Sequence, residues 1–117
     1  MTIPAINTKT FTFDSNPSSD SARYVGANHT AQVKDILQVR RVAPKATKTD
    51  PGVHKEYHKR VISELIGGVY KDIIVETSYS IPVGASTAGI TAARVDNAEF
   101  AKSTAGVSLV EKAQVNF

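Results

Sequence analysis

The chain has 117 residues, 41% of them hydrophobic and 21% charged, with a formal net charge of +3; that is the size and balance of one globular domain able to bury roughly two-thirds of its unfolded surface. It contains no cysteine, which excludes a disulfide framework, a thiolate metal site and a thiol nucleophile. Eight of the fourteen Lys and Arg lie between Lys34 and Arg60 against three acids, so this window carries +5 and the remainder −2, a clustering that points to a polyanionic partner.

The amino end, MTIPAINTKTFTF, has no charged leader followed by an apolar core, and no apolar run is long enough to span a bilayer. The chain therefore reads as soluble, with at most Met1 removed. Residues 9–13 alternate as KTFTF, with Phe11 and Phe13 on one side, which is the period of a half-buried strand. Residues 14–21, DSNPSSDS, are turn-forming throughout and read as a loop. Residues 22–26 return as a short strand that closes a hairpin.

In residues 31–42, AQVKDILQVRRV, the side chains of Val33, Leu37 and Val39 share one parity and those of Lys34, Gln38 and Arg40 the other. Strand side chains alternate between faces, so aliphatic groups point inward and long polar groups outward; Asp35, Ile36 and Arg41 break the pattern. Residues 43–52, APKATKTDPG, read as a long connection. Residues 53–66 resume as a strand, with Tyr57, Val61, Ser63 and Leu65 on one parity, read as the packing side, and His58 and Arg60 on the other.

Gly67-Gly68 suits a two-residue hairpin turn because both positions tolerate positive φ, which makes the runs on either side antiparallel neighbours. In residues 69–81, Ile73, Val75, Thr77, Tyr79 and Ile81 form the packing side, opposite Ile74, Glu76, Ser78 and Ser80. Pro82 and Gly84 end the strand. Beyond them the chain turns Ala-rich, with Ser86 or Thr87 as a helix N-cap and Ile90, Ala93, Val95 and Ala98 at helical spacing. Asp96 with Glu99 offers a capping box for a shorter helix. Gly106 separates this from a last apolar stretch, VSLVEKAQVNF, so one or two helices follow the sheet.

No catalytic or metal centre is signalled. His54 and His58 are four apart, about 13 Å along a strand, and zinc needs three or four ligands. The paired carboxylates Glu56 and Glu64 are separated in the same way, and neither a G-x-S-x-G elbow nor a phosphate-binding loop occurs. No cofactor, metal or membrane partner is called for, and the chain reads as a non-enzyme. The basic side of the sheet reads either as a solvated face or as a nucleic-acid surface, with Gln38, Ser78 and Ser80 beside the cations as neutral hydrogen-bonding groups.

The order of these elements resembles a coat protein of the small single-stranded RNA bacteriophages, the levivirus type. The pieces that carry the resemblance are the strand ending in APK followed by a loop and GVHK, the strand ending in IPVGAST before the helix, and the VSLVEKAQVNF tail. The resemblance spans about residues 8–117. It implies an α+β fold of one domain, 1–117, with a hairpin region at 1–28, a main antiparallel sheet at 29–82 and helices at 85–117 that pack on a partner's sheet in an intertwined dimer. It further implies an icosahedral shell in the virion, assembled in the bacterial cytoplasm, with the loop at 45–52 at contacts between dimers. The uncovered sheet face would bind genomic RNA, including a hairpin that represses translation and marks the genome for packaging. The RNA-facing residues so expected are Lys34, Gln38, Arg40, His58, Arg60, Glu76 and Ser78. Ile74 departs from the family, some members of which carry a base-stacking aromatic there. The alternative is a small dimeric nucleic-acid-binding regulator that forms no shell.

Overall fold

The structure is a computed structural model that describes residues 2–116. Six strands, β1 (Thr2–Ile6), β2 (Lys9–Ser18), β3 (Ser21–Val25), β4 (Asp35–Val42), β5 (Val53–Ile66) and β6 (Val69–Pro82), are followed by two helices, α1 (Thr87–Lys102) and α2 (Thr104–Lys112). Every strand pairs antiparallel with its sequence neighbours, giving a meander in the order β1 to β6 with β1 and β6 at the edges. The chain divides into two compact units, the sheet ending at Val83 and the helical unit starting at Gly84.

The expected α+β order is present, with three local differences. A first strand, β1, precedes the expected hairpin and joins β2 through Asn7 and Thr8, both at positive φ (51° and 64°), the backbone sense that matches the twist of flanking strands. The stretch read as a loop at 14–21 is mostly strand, since β2 runs to Ser18. Its turn-forming side chains satisfy the sheet instead of leaving it: Asn16 Nδ2 donates to the Ser21 carbonyl at 3.1 Å, and Ser21 Oγ accepts from the Ser18 amide at 3.0 Å. Pro17 is accommodated because the β2–β3 register shifts between Ser15 and Ser18, where no regular ladder amide is required of it. Residues 31–34, read as the start of a strand, are instead loop before β4 begins at Asp35.

The β5–β6 hairpin turns at Gly67 and Gly68, with φ of 59° and 83°, and pairs Ile66 with Val69 through to Val53 with Pro82. The buried apolar residues among those described are Phe11, Ile36 and Val61. Along β6, by contrast, Val69, Tyr70, Ile73, Ile74 and Val75 are all exposed. An edge strand this long and apolar is a template for another chain.

In the helical unit, Ser86 caps α1 by accepting from the Gly89 amide at 3.1 Å, and α1 runs unbroken past Asp96 and Glu99. The break comes at Ser103, which serves both helices. Its hydroxyl donates to the Phe100 carbonyl at 2.6 Å and accepts from the Gly106 amide at 3.1 Å, closing α1 and capping α2. Gly106, expected as the separator, lies in the first turn of α2 and is buried. A Cβ there would meet the Phe100 carbonyl oxygen and stand 2.9 Å from that of Ala101, so the helix corner requires glycine. Val95, Phe100, Val107, Leu109 and Val110 are exposed, a large apolar surface for 34 residues.

Candidate nucleic-acid interface

Residues directly opposite across an antiparallel pair lie on the same face, so the registers sort every side chain. On one face the rows are Ala22, Val39, His58 and Thr77, then Tyr24, Leu37, Arg60 and Val75. On the other they are Arg23, Gln38, Lys59 and Glu76, then Ser21, Arg40, Tyr57 and Ser78, then Val42, Lys55 and Ser80. The first face is mainly apolar, with its ion pairs and Lys71 opposite Glu64; the second is basic over these rows and gives way, nearer the β5–β6 turn, to the apolar row Val25, Ile36, Val61 and Ile74.

This corrects the placement of two expected RNA-facing residues. His58 and Arg60 lie with Leu37, Val39 and Val75, while Tyr57 moves to the basic side and Tyr79 stays on the apolar one. The strand parities of β4 and β6 hold, but β5 is inverted relative to both. Gly67-Gly68 carries the signal that fixes it: a two-residue turn pairs Ile66 with Val69, so even positions of β5 must share a face with odd positions of β6.

Arg60 is committed where it sits. Its guanidinium lies 4.7 Å from the centre of the Phe11 ring, and Nη1 donates to the carbonyls of Ile36 and Val61 at 3.1 and 3.4 Å. Nη2 is 2.5 Å from Asp35 Oδ1, without a hydrogen-bonding angle, so the two meet as opposite charges. Asp35 is only 7% exposed. Its second carboxylate oxygen accepts from the Asn28 amide, and its own amide donates to His29 Nδ1. His58 Nε2 is hydrogen-bonded to the Tyr79 hydroxyl at 3.0 Å, and His54 Nδ1 lies 2.8 Å from Glu56 Oε2. Arg41, also on this face, pairs with Asp20 at 3.1 Å. Arg41, His54, His58 and Arg60 of the apolar face thus each have a local partner, while Lys71, opposite Glu64 near the β5–β6 turn, enters no salt bridge among the described residues.

The basic face is different. Among the described residues Arg23, Arg40, Lys55 and Lys59 enter no salt bridge, and Arg23 Nε is buried without a hydrogen-bond partner. Arg40 instead covers the Tyr57 ring, with 4.0 Å from Cζ to the centroid. Lys34 is the tethered cation of the set: Nζ donates to Asp72 Oδ2 at 2.9 Å, and the Ser63 hydroxyl donates to Oδ1 at 3.0 Å. The Lys34 hydrogen bond, then that of Ser63, hold the Asp72 carboxyl below the usual carboxylate range. Glu76 stands across from Lys59 on β6. Sequence reasoning therefore found Gln38, Arg40, Glu76 and Ser78 on this face but missed Arg23, Lys55 and Lys59. The β5 parity hides the last two, and Arg23 depends on a β3–β4 register that the intervening loop does not reveal.

The six-stranded antiparallel sheet followed by two helices is the fold of levivirus-type coat proteins. It superposes on the subunit of the virus-like particle of Beihai levi-like virus 32 with a TM-score of 0.78 and 19% identity, covering 96% of this chain and 93% of that one. The virus-like particle of bacteriophage GQ-907 gives a TM-score of 0.81 at 13% identity over 97% and 88% of the two chains. That of Wenzhou levi-like virus 4 gives 0.76 at 20% identity over 93% and 77%. No protein-family model matches the chain, and no curated protein matches it in sequence.

Proposed function

We propose that this chain, as a single coat-protein domain, is the structural subunit of an icosahedral virion shell and that it carries no catalysis. Two copies join through their β6 edges into one continuous sheet, and the helices of each lie over the apolar face of the other. The exposed apolar residues of β6, α1 and α2 support this, since each needs cover that a second copy supplies. Dimers then assemble into the shell in the bacterial cytoplasm, with the loop at 45–52 at contacts between them.

The basic face turns inward to single-stranded genomic RNA. The observation that carries this reading is that four cations gathered in adjacent rows of that face, Arg23, Arg40, Lys55 and Lys59, lack an ionic partner among the described residues, whereas Arg41, His54 and Arg60 of the opposite face have one. Arg23, Arg40, Lys55 and Lys59 neutralise phosphates, Gln38 and Ser78 bond ribose or base edges, and Lys34 contributes once displaced from Asp72. Glu76 thins the positive field beside Lys59. Repression and packaging through an RNA hairpin belong to the same surface.

The test is expression of the full chain followed by gel filtration and electron microscopy. Closed particles that co-purify with nuclease-protected RNA are the expected outcome. A uniform dimer that binds RNA but forms no particle would favour the small regulator, and particles without RNA would keep the shell and remove the RNA role.

A further inference from the structure

We propose that two copies of the chain join their β6 edges in a single register, with Val75 on the two-fold axis, and that Glu76 is the residue that enforces it; this rests on the reading that β6 pairs with a second copy. β6 pairs only with β5 and is an edge of the sheet. Ile73, Ile74 and Val75 are exposed along it, Val75 at 57%. Glu76 is an acid on a basic face, across from Lys59, and phosphate binding alone gives it no role there.

Directly opposite residues of an antiparallel pair share a face. Two copies that keep their basic faces on one side must therefore pair residues of equal parity, so the axis passes through a residue and not between two. Charge then removes several of the choices. An axis at Asp72 or Glu76 sets that carboxylate against its own copy, and an axis at Ile74 sets Asp72 against Glu76 twice; like charges directly opposite are destabilising. An axis at Ile73 leaves residues 78–82 unpaired. One at Thr77 leaves the exposed Val69 and Tyr70 unpaired and brings in Pro82, which has no amide to donate. Axes nearer either end pair less of the strand still. An axis at Val75 avoids all of these: it pairs residues 69–81 throughout, with Val75 against Val75, Ile73 against Thr77 and Val69 against Ile81. The carboxylates then meet only on diagonals, about 7–8 Å apart, with Lys59 across from Glu76 and Lys34 bonded to Asp72.

The register sets the geometry of everything attached to it. Each step to a neighbouring axis slides one sheet past the other by two residues, about 7 Å, and moves the face that the helices must cover by the same amount. A closed shell needs one such geometry, and carboxylates that forbid the nearest slips supply it.

The chain has no cysteine, so a single introduced one reports its own distance from the axis. The full chain is made as Ile73→Cys, Ile74→Cys and Val75→Cys, oxidised mildly as purified, and read as covalent dimer on a non-reducing gel. A disulfide spans about 4.4–6.8 Å between Cα atoms, which a directly opposite pair meets and a diagonal pair exceeds. The expected result is that Val75→Cys cross-links at least about 10-fold faster than the other two. Adding Glu76→Lys to the Ile74→Cys and Val75→Cys chains turns the two repulsions of the Ile74 axis into attractions. The ratio of rates then moves toward Ile74→Cys by about 2- to 30-fold, the worth of two opposite-charge pairs.

Faster cross-linking of Ile73→Cys or Ile74→Cys than of Val75→Cys overturns the register while leaving the joined edges in place. A ratio that Glu76→Lys does not move overturns the role of Glu76. If none of the three cross-links, β6 is not the joined edge, and the pairing falls together with its register. Should Val75→Cys fail to fold, co-expressed Ile73→Cys and Thr77→Cys chains, which face one another about the Val75 axis, decide in its place.

Discussion

Replacing Lys55 and Lys59 together by alanine, and separately replacing Arg60 by alanine, should give opposite phenotypes although all three residues lie within six positions of one strand. Each phosphate neutralised on a single strand contributes about −0.7 to the slope of log affinity against log salt. With Arg23, Arg40, Lys55 and Lys59 engaged, the parent slope is about −2.8, so affinity falls roughly 50-fold between about 50 and 200 mM salt. The lysine pair variant keeps two of those cations, and its slope drops to about −1.4, a roughly 7-fold loss over the same interval. Its stability should change by less than about 0.5 kcal/mol, since neither lysine has a salt bridge to lose.

Arg60→Ala leaves Asp35, 7% exposed, without its counter-charge, and breaking such a pair costs about 3–5 kcal/mol. It should leave the salt slope of the folded protein unchanged. The paired assays are fluorescence polarisation of a labelled oligoadenylate across a salt series and urea unfolding followed by circular dichroism. A flattened slope in Arg60→Ala, or a parent-like slope in the lysine pair variant, would refute the assignment of faces.

Three further outcomes follow from the geometry. The Asp72 carboxyl should titrate below the ordinary value of about 3.9 and return toward it in Lys34→Ala, as read by carboxyl NMR shifts. Because the folded value is depressed, the stability from this contact is present at neutral pH and is lost as pH falls through the folded Asp72 value. A normal Asp72 titration in the parent would contradict the Lys34 contact. Gly106→Ala should destabilise the helical unit by about 1–3 kcal/mol, because its methyl must displace the Phe100 carbonyl, and an unchanged urea midpoint would refute that packing. Ser103→Ala should cost about 1 kcal/mol through loss of the α2 cap, whereas the threonine variant, which keeps the hydroxyl, should recover most of it.

The sheet was legible because alternation in β4 and β6 is strong and Gly67-Gly68 fixes a turn. The Ser86 cap was legible for the same local reason, a hydroxyl ahead of an Ala-rich run. What stayed hidden depends on partners distant in sequence. Asn16, Ser18 and Ser21 are turn formers by type, yet they bond one another across a hairpin and extend β2. Tyr57 and His58 are both amphipathic, so composition alone does not choose the face of β5. Gly106 reads as a helix breaker, but its lack of a side chain serves a close approach to the end of α1, and the break belongs to Ser103.

The most direct measurement is a cryo-electron microscopy map of particles purified with their contents. The expected map shows a two-fold pair of chains joined at β6, helices of one copy over Leu37, Val39 and Val75 of the other, and internal RNA density against Arg40, Lys55 and Lys59. Density for RNA against His58 and Arg60, or helices lying over Arg40 and Lys59, would contradict it.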